Sequence, residues 1–98
     1  MKAVFNGHIL ADSTHTIVIE LNHHFPPDTV NFEYLKENGN TSECPWKGVA
    51  EYFDVDVKGH VIKDGAWHYP NPKKGSAQRV GDDFTGYVGF AEAVDIVP

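Results

Sequence analysis

The chain reads as an all-β, mainly antiparallel domain with one short helix, and three observations carry that class. Turn-forming pairs recur every eight to twelve residues, the spacing of a sandwich or barrel. Asn6-Gly7 sits between two short apolar runs, the strongest local hairpin signal. From Val49 to Val57 apolar and polar side chains alternate, the period of a strand with one drier face.

Taken in order, Ala3–Phe5 and His8–Ala11 are the arms of that first hairpin, and Asp12-Ser13 closes it. Thr16–Leu21 is short and β-branched, so it reads as a strand buried on part of both faces. Asn22–Pro27 reads as a loop because His23-His24-Phe25 runs into a double proline. Pro27 suits a helix start with Asp28 and Glu33 near its positive end, and Val30, Tyr34 and Leu35 share a face. The predicted helix spans Asp28–Lys36 and stops at Asn38-Gly39-Asn40. In the long strand, Val49, Glu51, Phe53, Val55 and Val57 face one way; Ala50, Tyr52, Asp54 and Asp56 face the other. Lys58-Gly59 and Asp64-Gly65 read as turns flanking His60–Lys63, and Ala66–Tyr69 as a strand stopped by Pro70. Gly75–Asp83 is polar, a loop with one helical turn at most, followed by strands over Thr85–Ala91 and Ala93–Val97.

Ninety-eight residues form a single domain, 1–98. Apolar residues make up 41% and charged residues 22%, which fits an ordinary globular protein. Net charge is −6, from 14 acidic against 8 basic residues, and this opposes attraction to a phosphate backbone. Nucleic-acid binding is therefore not expected. The densest basic group, Lys73-Lys74 with Arg79, is a weak patch in sequence. A lone cysteine cannot make an internal disulfide, and no segment has the roughly 20 apolar residues of a membrane helix. Asn6-Gly7 interrupts the N-terminal run before a signal-peptide core develops. A cytoplasmic location and no membrane partner are the expectations.

Both tryptophans, the cysteine and a lysine fall in two segments, Cys44-Pro45-Trp46-Lys47-Gly48 and Ala66-Trp67-His68-Tyr69-Pro70. Tryptophan seeks an apolar bed and a partner for its N–H, so two such turn-flanked segments point to one shared site. Lys47 can meet a ligand anion beneath an indole, or act as an amine nucleophile if apolar walls lower its proton affinity. It can equally be a snorkelling lysine packed on Trp46. Cys44 is a nucleophile if a histidine or helix end lowers its pKa, or a small buried plug. His23, His24, His60 and His68 lack a metal-ligand spacing, and no metal site is expected. Asp54 and Asp56 share a strand face, as paired magnesium ligands do, but the upstream turn-on-helix half of that motif is missing. There is no glycine-rich phosphate loop.

Several blocks occur together: Phe25-Pro26-Pro27 with Val30, then Cys44–Gly48 with Tyr52. Ala66-Trp67 with Tyr69-Pro70 and Pro72 follows, then Gly86-Tyr87-Val88 with Phe90. In this order they resemble the small prokaryotic family called domain of unknown function four-two-seven, over nearly the whole chain. The resemblance implies a compact β-tent domain, two antiparallel sheets splayed around a pocket. Relatives of that architecture carry a structural zinc held by cysteine pairs; Cys44 stands alone, so neither zinc nor another cofactor is expected. The family also bears a nucleotidyltransferase-like label, which only Asp54 and Asp56 would fit. Its motif residues fall on Cys44, Pro45, Trp46, Lys47, Gly48, Tyr52, Trp67, Tyr69 and Pro70.

The expectation is a pocket walled by Trp46, Tyr52, Trp67 and Tyr69 with Lys47 as its cation, binding a small anionic or aromatic ligand. One alternative is an enzyme with Lys47, or behind it Cys44, as the catalytic group, nucleotidyl transfer included. Another is a structural or protein-interaction module. Exposed edge strands leave a homodimer open.

Overall fold

The structure, a computed structural model, describes residues 1–98. Nine strands and one α-helix follow each other along the chain. The first four strands are β1 (Lys2–Phe5), β2 (His8–Asp12), β3 (Ile17–Ile19) and β4 (Asn22–His24). Two 3₁₀ turns, Pro27–Thr29 and Phe32–Tyr34, lead into β5 (Leu35–Cys44), β6 (Gly48–Val57) and β7 (His60–His68). The helix α1 (Ser76–Val80) precedes β8 (Val88–Phe90) and β9 (Asp95–Val97). All pairings are antiparallel. The class is all-β with a short helix.

Asn6-Gly7 and Lys58-Gly59 turn their hairpins with both residues at positive φ, 50° and 73° in one, 51° and 85° in the other. Such turns match the twist of the flanking strands. A third hairpin, β3–β4, turns on Glu20-Leu21 at φ 51° and 71°. Neither residue favours that region. Hence the strand expected over Thr16–Leu21 ends at Ile19, and the expected loop supplies β4.

The helix expected over Asp28–Lys36 is absent, and the single helix lies at Ser76–Val80. Long-range pairing overrides the helical stripe. Val30 bridges Ala11, the Asn31 N–H donates to the Leu10 carbonyl at 2.8 Å, and Leu35 enters the core as the first residue of β5. Asn38-Gly39-Asn40 is a bulge inside β5, not a helix stop. Asp64-Gly65 is likewise a bulge within a continuous β7. A Cβ on Gly65 would lie 2.8 Å from Val55 Cγ2, so only glycine lets β6 and β7 approach there.

The sheet order is β2-β1-β9 in one sheet and β5-β6-β7-β8 in the other, with β3–β4 as a separate ladder. Phe25 and Val88 exchange both backbone hydrogen bonds at 2.9 Å, so the hairpin continues the larger sheet beyond β8. The main core fills the space between the sheets, with Leu10, Phe25, Val55, Val57 and Val88 fully buried. A second, smaller core of Ile19, Ala50, Tyr69 and Phe84 lies on the opposite face of the larger sheet.

The long strand shows the consequence. Its alternation is the one expected, but the dry side changes halfway. Phe53, Val55 and Val57 bury into the main core, whereas nearer its start Ala50 is buried and Val49 and Glu51 are exposed. One strand therefore serves two cores on opposite faces. No helix is long and apolar enough to cross a membrane.

Candidate functional site

The site grows from the three-residue connection Pro45-Trp46-Lys47 between β5 and β6. Gly48 makes that turn possible. Its φ is +113°, and a Cβ there would lie 3.1 Å from the Asn71 carbonyl oxygen. The chain leaving β7 crosses directly over it, and the Lys73 N–H donates to the Lys47 carbonyl at 3.0 Å. The segments around the two tryptophans are thereby clamped backbone to backbone.

Lys47 is buried, at 8% exposure. Its Nζ lies 5.2 Å from the Trp46 ring centroid and 5.4 Å from that of Tyr69, within cation–π range of both. Its carboxylate partner is Glu20, from the tip of the β3–β4 hairpin. In the extended sheet, β3 and β6 are separated by β7, β8 and β4. For Glu20 to touch Lys47 the sheet must curl around the second core. Burial lowers the proton affinity of Lys47 below the ordinary lysine value, while Glu20, 59% exposed at its side chain, opposes that shift only through a solvent-screened contact.

This pair predicts an asymmetry. Lys47→Met leaves Glu20 free to hydrate and fills an apolar niche, so stability should change by less than about 1 kcal/mol. Glu20→Gln strands a buried ammonium and should cost about 1–3 kcal/mol. Urea denaturation of both variants measures the difference.

The other expected residues border the same core. Trp46, Tyr52, Trp67 and Cys44 pack against it half-buried, and Tyr69 is one of its buried members. The two indoles have different company. Arg79 Cζ lies 4.4 Å from the Trp46 centroid, whereas Trp67 pairs with Tyr52 at 6.4 Å and His24 at 6.0 Å. Trp67 and His24 close over Gly89, where a Cβ would lie 2.9 Å from each ring. The Tyr52 hydroxyl bonds Ser42 at 2.9 Å. The Tyr69 phenol is pushed up to about 12 by burial first, then by Cys44 and Tyr52, so it stays protonated. The Cys44 thiol makes no hydrogen bond, to an imidazole or to any other group. Tyr52 and Trp46 line different clefts, of about 210 and 310 Å³, and neither cleft is lined by Lys47, Trp67 or Tyr69.

Asp54 and Asp56 are engaged in the sheet itself. Asp54 accepts from Asn38 Nδ2 at 2.7 Å and from the Asp64 N–H at 3.0 Å, which hold its carboxyl below the usual range. Asp56 accepts from the Gly59 N–H and pairs with Lys36 at 3.4 Å. No three His, Cys, Asp or Glu side chains converge in a metal-holding group. On the other face of β6, His68 Nε2 lies 3.4 Å from Glu51 beside a cleft of about 210 Å³ that Tyr52 and Glu37 also line.

A family profile described as "Domain of unknown function (DUF427)" matches residues 1–97. The chain belongs to this family. Its nucleotidyltransferase-type label accompanies the match, and a search of curated proteins found no match. Within this DUF427 domain, sequence reasoning did not place Glu20 or Arg79 at the Trp46–Lys47 corner. Glu20 sits in a turn with no turn-forming residues, and Arg79 in a polar segment without period. Neither carries a local signal.

Proposed function

We propose that this DUF427 domain binds a small anionic ligand at the Trp46–Lys47–Tyr69 corner, with Lys47 as the anchoring cation and Tyr52 and Trp67 as the outer aromatic surround. One observation carries the reading: a buried ammonium between two aromatic rings has as its carboxylate partner an exposed side chain on a strained turn. A ligand oxyanion in place of Glu20 would gain a charge-assisted bond, and would leave Glu20 free to hydrate. Glu20 and Leu21 at positive φ are held there by the surrounding structure, and such strain concentrates at binding sites.

Thermal shifts against small carboxylates and sugar acids test the reading. A ligand at a hundred times its Kd adds about 2.7 kcal/mol, roughly 10–20 °C for a domain of this size. Lys47→Met should abolish that shift, and Glu20→Gln, which removes the competing carboxylate, should tighten binding severalfold. Wild type and Lys47→Met responding alike to every anion would sink it.

The lowered proton affinity of Lys47 also supports an enzymatic reading. A neutral amine can add to a substrate carbonyl and expel water to form an imine. Borohydride reduction followed by mass analysis would then label Lys47 in wild type, and an unlabelled Lys47 after incubation with aldehydes and keto acids removes that reading.

A further inference from the structure

A second feature is a groove of about 310 Å³ between the Pro45-Trp46 corner and the start of α1. Three of the eight basic residues, Lys73, Lys74 and Arg79, line it with Trp46 and Ser76. The ion pairs of the molecule use Lys36, Lys47 and His68, so none of these three cations has a carboxylate partner. Lys2, Lys58 and Lys63 are unpaired too, and what sets Lys73, Lys74 and Arg79 apart is that they line one groove. Unpaired like charges in one groove repel each other, and an anion placed among them removes the repulsion.

The groove is built, not merely charged. The buried Ser76 hydroxyl donates to the Lys73 carbonyl at 2.6 Å and the Ser76 N–H donates to the same oxygen at 3.0 Å. The Lys73 N–H is held by Lys47 at 3.0 Å. Both walls are therefore tied to the same backbone. Arg79 rests on Trp46, and a guanidinium placed against an aromatic ring keeps its N–H edge for a bidentate partner. Such fixed donors bind with less ordering cost than free side chains.

We propose that this groove binds the phosphate group of a small phosphorylated molecule. A phosphomonoester carries about −1.5 to −2 charge at neutral pH and three acceptor oxygens, which matches three cations lining one groove better than a single carboxylate does. The volume is at the lower end of ligand pockets, so the rest of the molecule must be small. The net negative charge of the chain opposes a long polyanion. The assignment does not depend on Lys47, whose ammonium is buried and already paired.

The test is a titration of the ¹⁵N-labelled chain with inorganic phosphate and with phenyl phosphate at fixed ionic strength, followed by NMR. Saturable shifts are expected at the Trp46 indole and along 73–79, weakening as salt rises. The double variant Lys73→Gln, Lys74→Gln should bind at least about tenfold more weakly, since it loses two charge-assisted partners of the phosphate. Arg79→Gln should bind severalfold more weakly, and Lys47→Met within about twofold of wild type. The lysine variants, altered only at exposed side chains, should melt with wild type. Unsaturable shifts over the whole surface, or full affinity in the double variant, would overturn the assignment. Loss in Lys47→Met with retention in the groove variants would move the phosphate to the Lys47 corner and overturn it too. A single-stranded oligonucleotide binding more tightly than phenyl phosphate would replace the small ligand with a nucleic acid.

Discussion

Phe84→Ala is expected to cost about 3–5 kcal/mol and to dissolve the corner that carries Lys47 before the main core gives way. Phe84 is 1% exposed and meets Tyr69 edge-on at 5.9 Å. Its cluster has only four buried members, against thirteen in the main core, so little else there can close over the cavity. Tyr69 would lose its support, and with it the ring beneath the Lys47 ammonium. Small clusters open at lower free energy than the core they flank. Tryptophan fluorescence should therefore report a transition some way below the calorimetric main peak, since Trp46 and Trp67 both border this cluster. A single coincident transition, displaced by less than about 1 kcal/mol, would show that the corner does not rest on Phe84.

Mild acid should weaken the domain through His24, by about 3 kcal/mol between pH 6.5 and pH 4. Burial lowers the His24 pKa to about 4 from the ordinary 6.5, and the neighbouring His23 adds to the effect. As pH falls below 6.5 the unfolded chain takes up a proton that the folded chain refuses until about pH 4. The unfolded state binds more protons across that window, so stability is highest above it and declines on the way down. The structural cause is plain: the ring is 2% exposed, packed on Trp67, and its Nδ1 has no hydrogen-bond partner. Asp54 and Asp83 have pKa values depressed by hydrogen bonds, so their contributions are present above the ordinary carboxylate range and are lost at lower pH. Urea titrations at half-unit pH steps should show the slope in wild type and a flat profile in His24→Leu. An equal slope in both proteins would assign the acid sensitivity to other groups.

The readable parts of this fold were those with local causes. Asn6-Gly7 and Lys58-Gly59 hold the residues their turns require, and the alternation of Val49–Val57 is the pattern of β6. The Glu20-Leu21 turn had no such signature. It survives because Ile19 is buried on one side of it and Glu20 meets Lys47 on the other. The helical stripe of Asp28–Lys36 was real as a spacing, yet two 3₁₀ turns and a strand satisfy Val30 and Leu35 better, through Ala11 and the main core. Asp64-Gly65 looks like a turn and acts as a bulge because β8 needs a longer β7 to pair with.

The candidate site divides in the same way. Trp46, Lys47 and Gly48 stood out as residue types unusual together, and Trp67 with Tyr69 at a distance. What surrounds the Lys47 ammonium did not, because Glu20 and Arg79 come from segments that meet this corner only after the sheet has curled.

The sequence by itself determined the all-β class, two hairpins, the long alternating strand and the aromatic segments, since turn chemistry and period-2 alternation act between neighbours in the chain. Tertiary structure alone decided which side of β6 is dry at each end, where the single helix forms, and which groups face Lys47 and Arg79. Those choices depend on the free energy of strands pairing across the whole chain, and no short window of residues contains it.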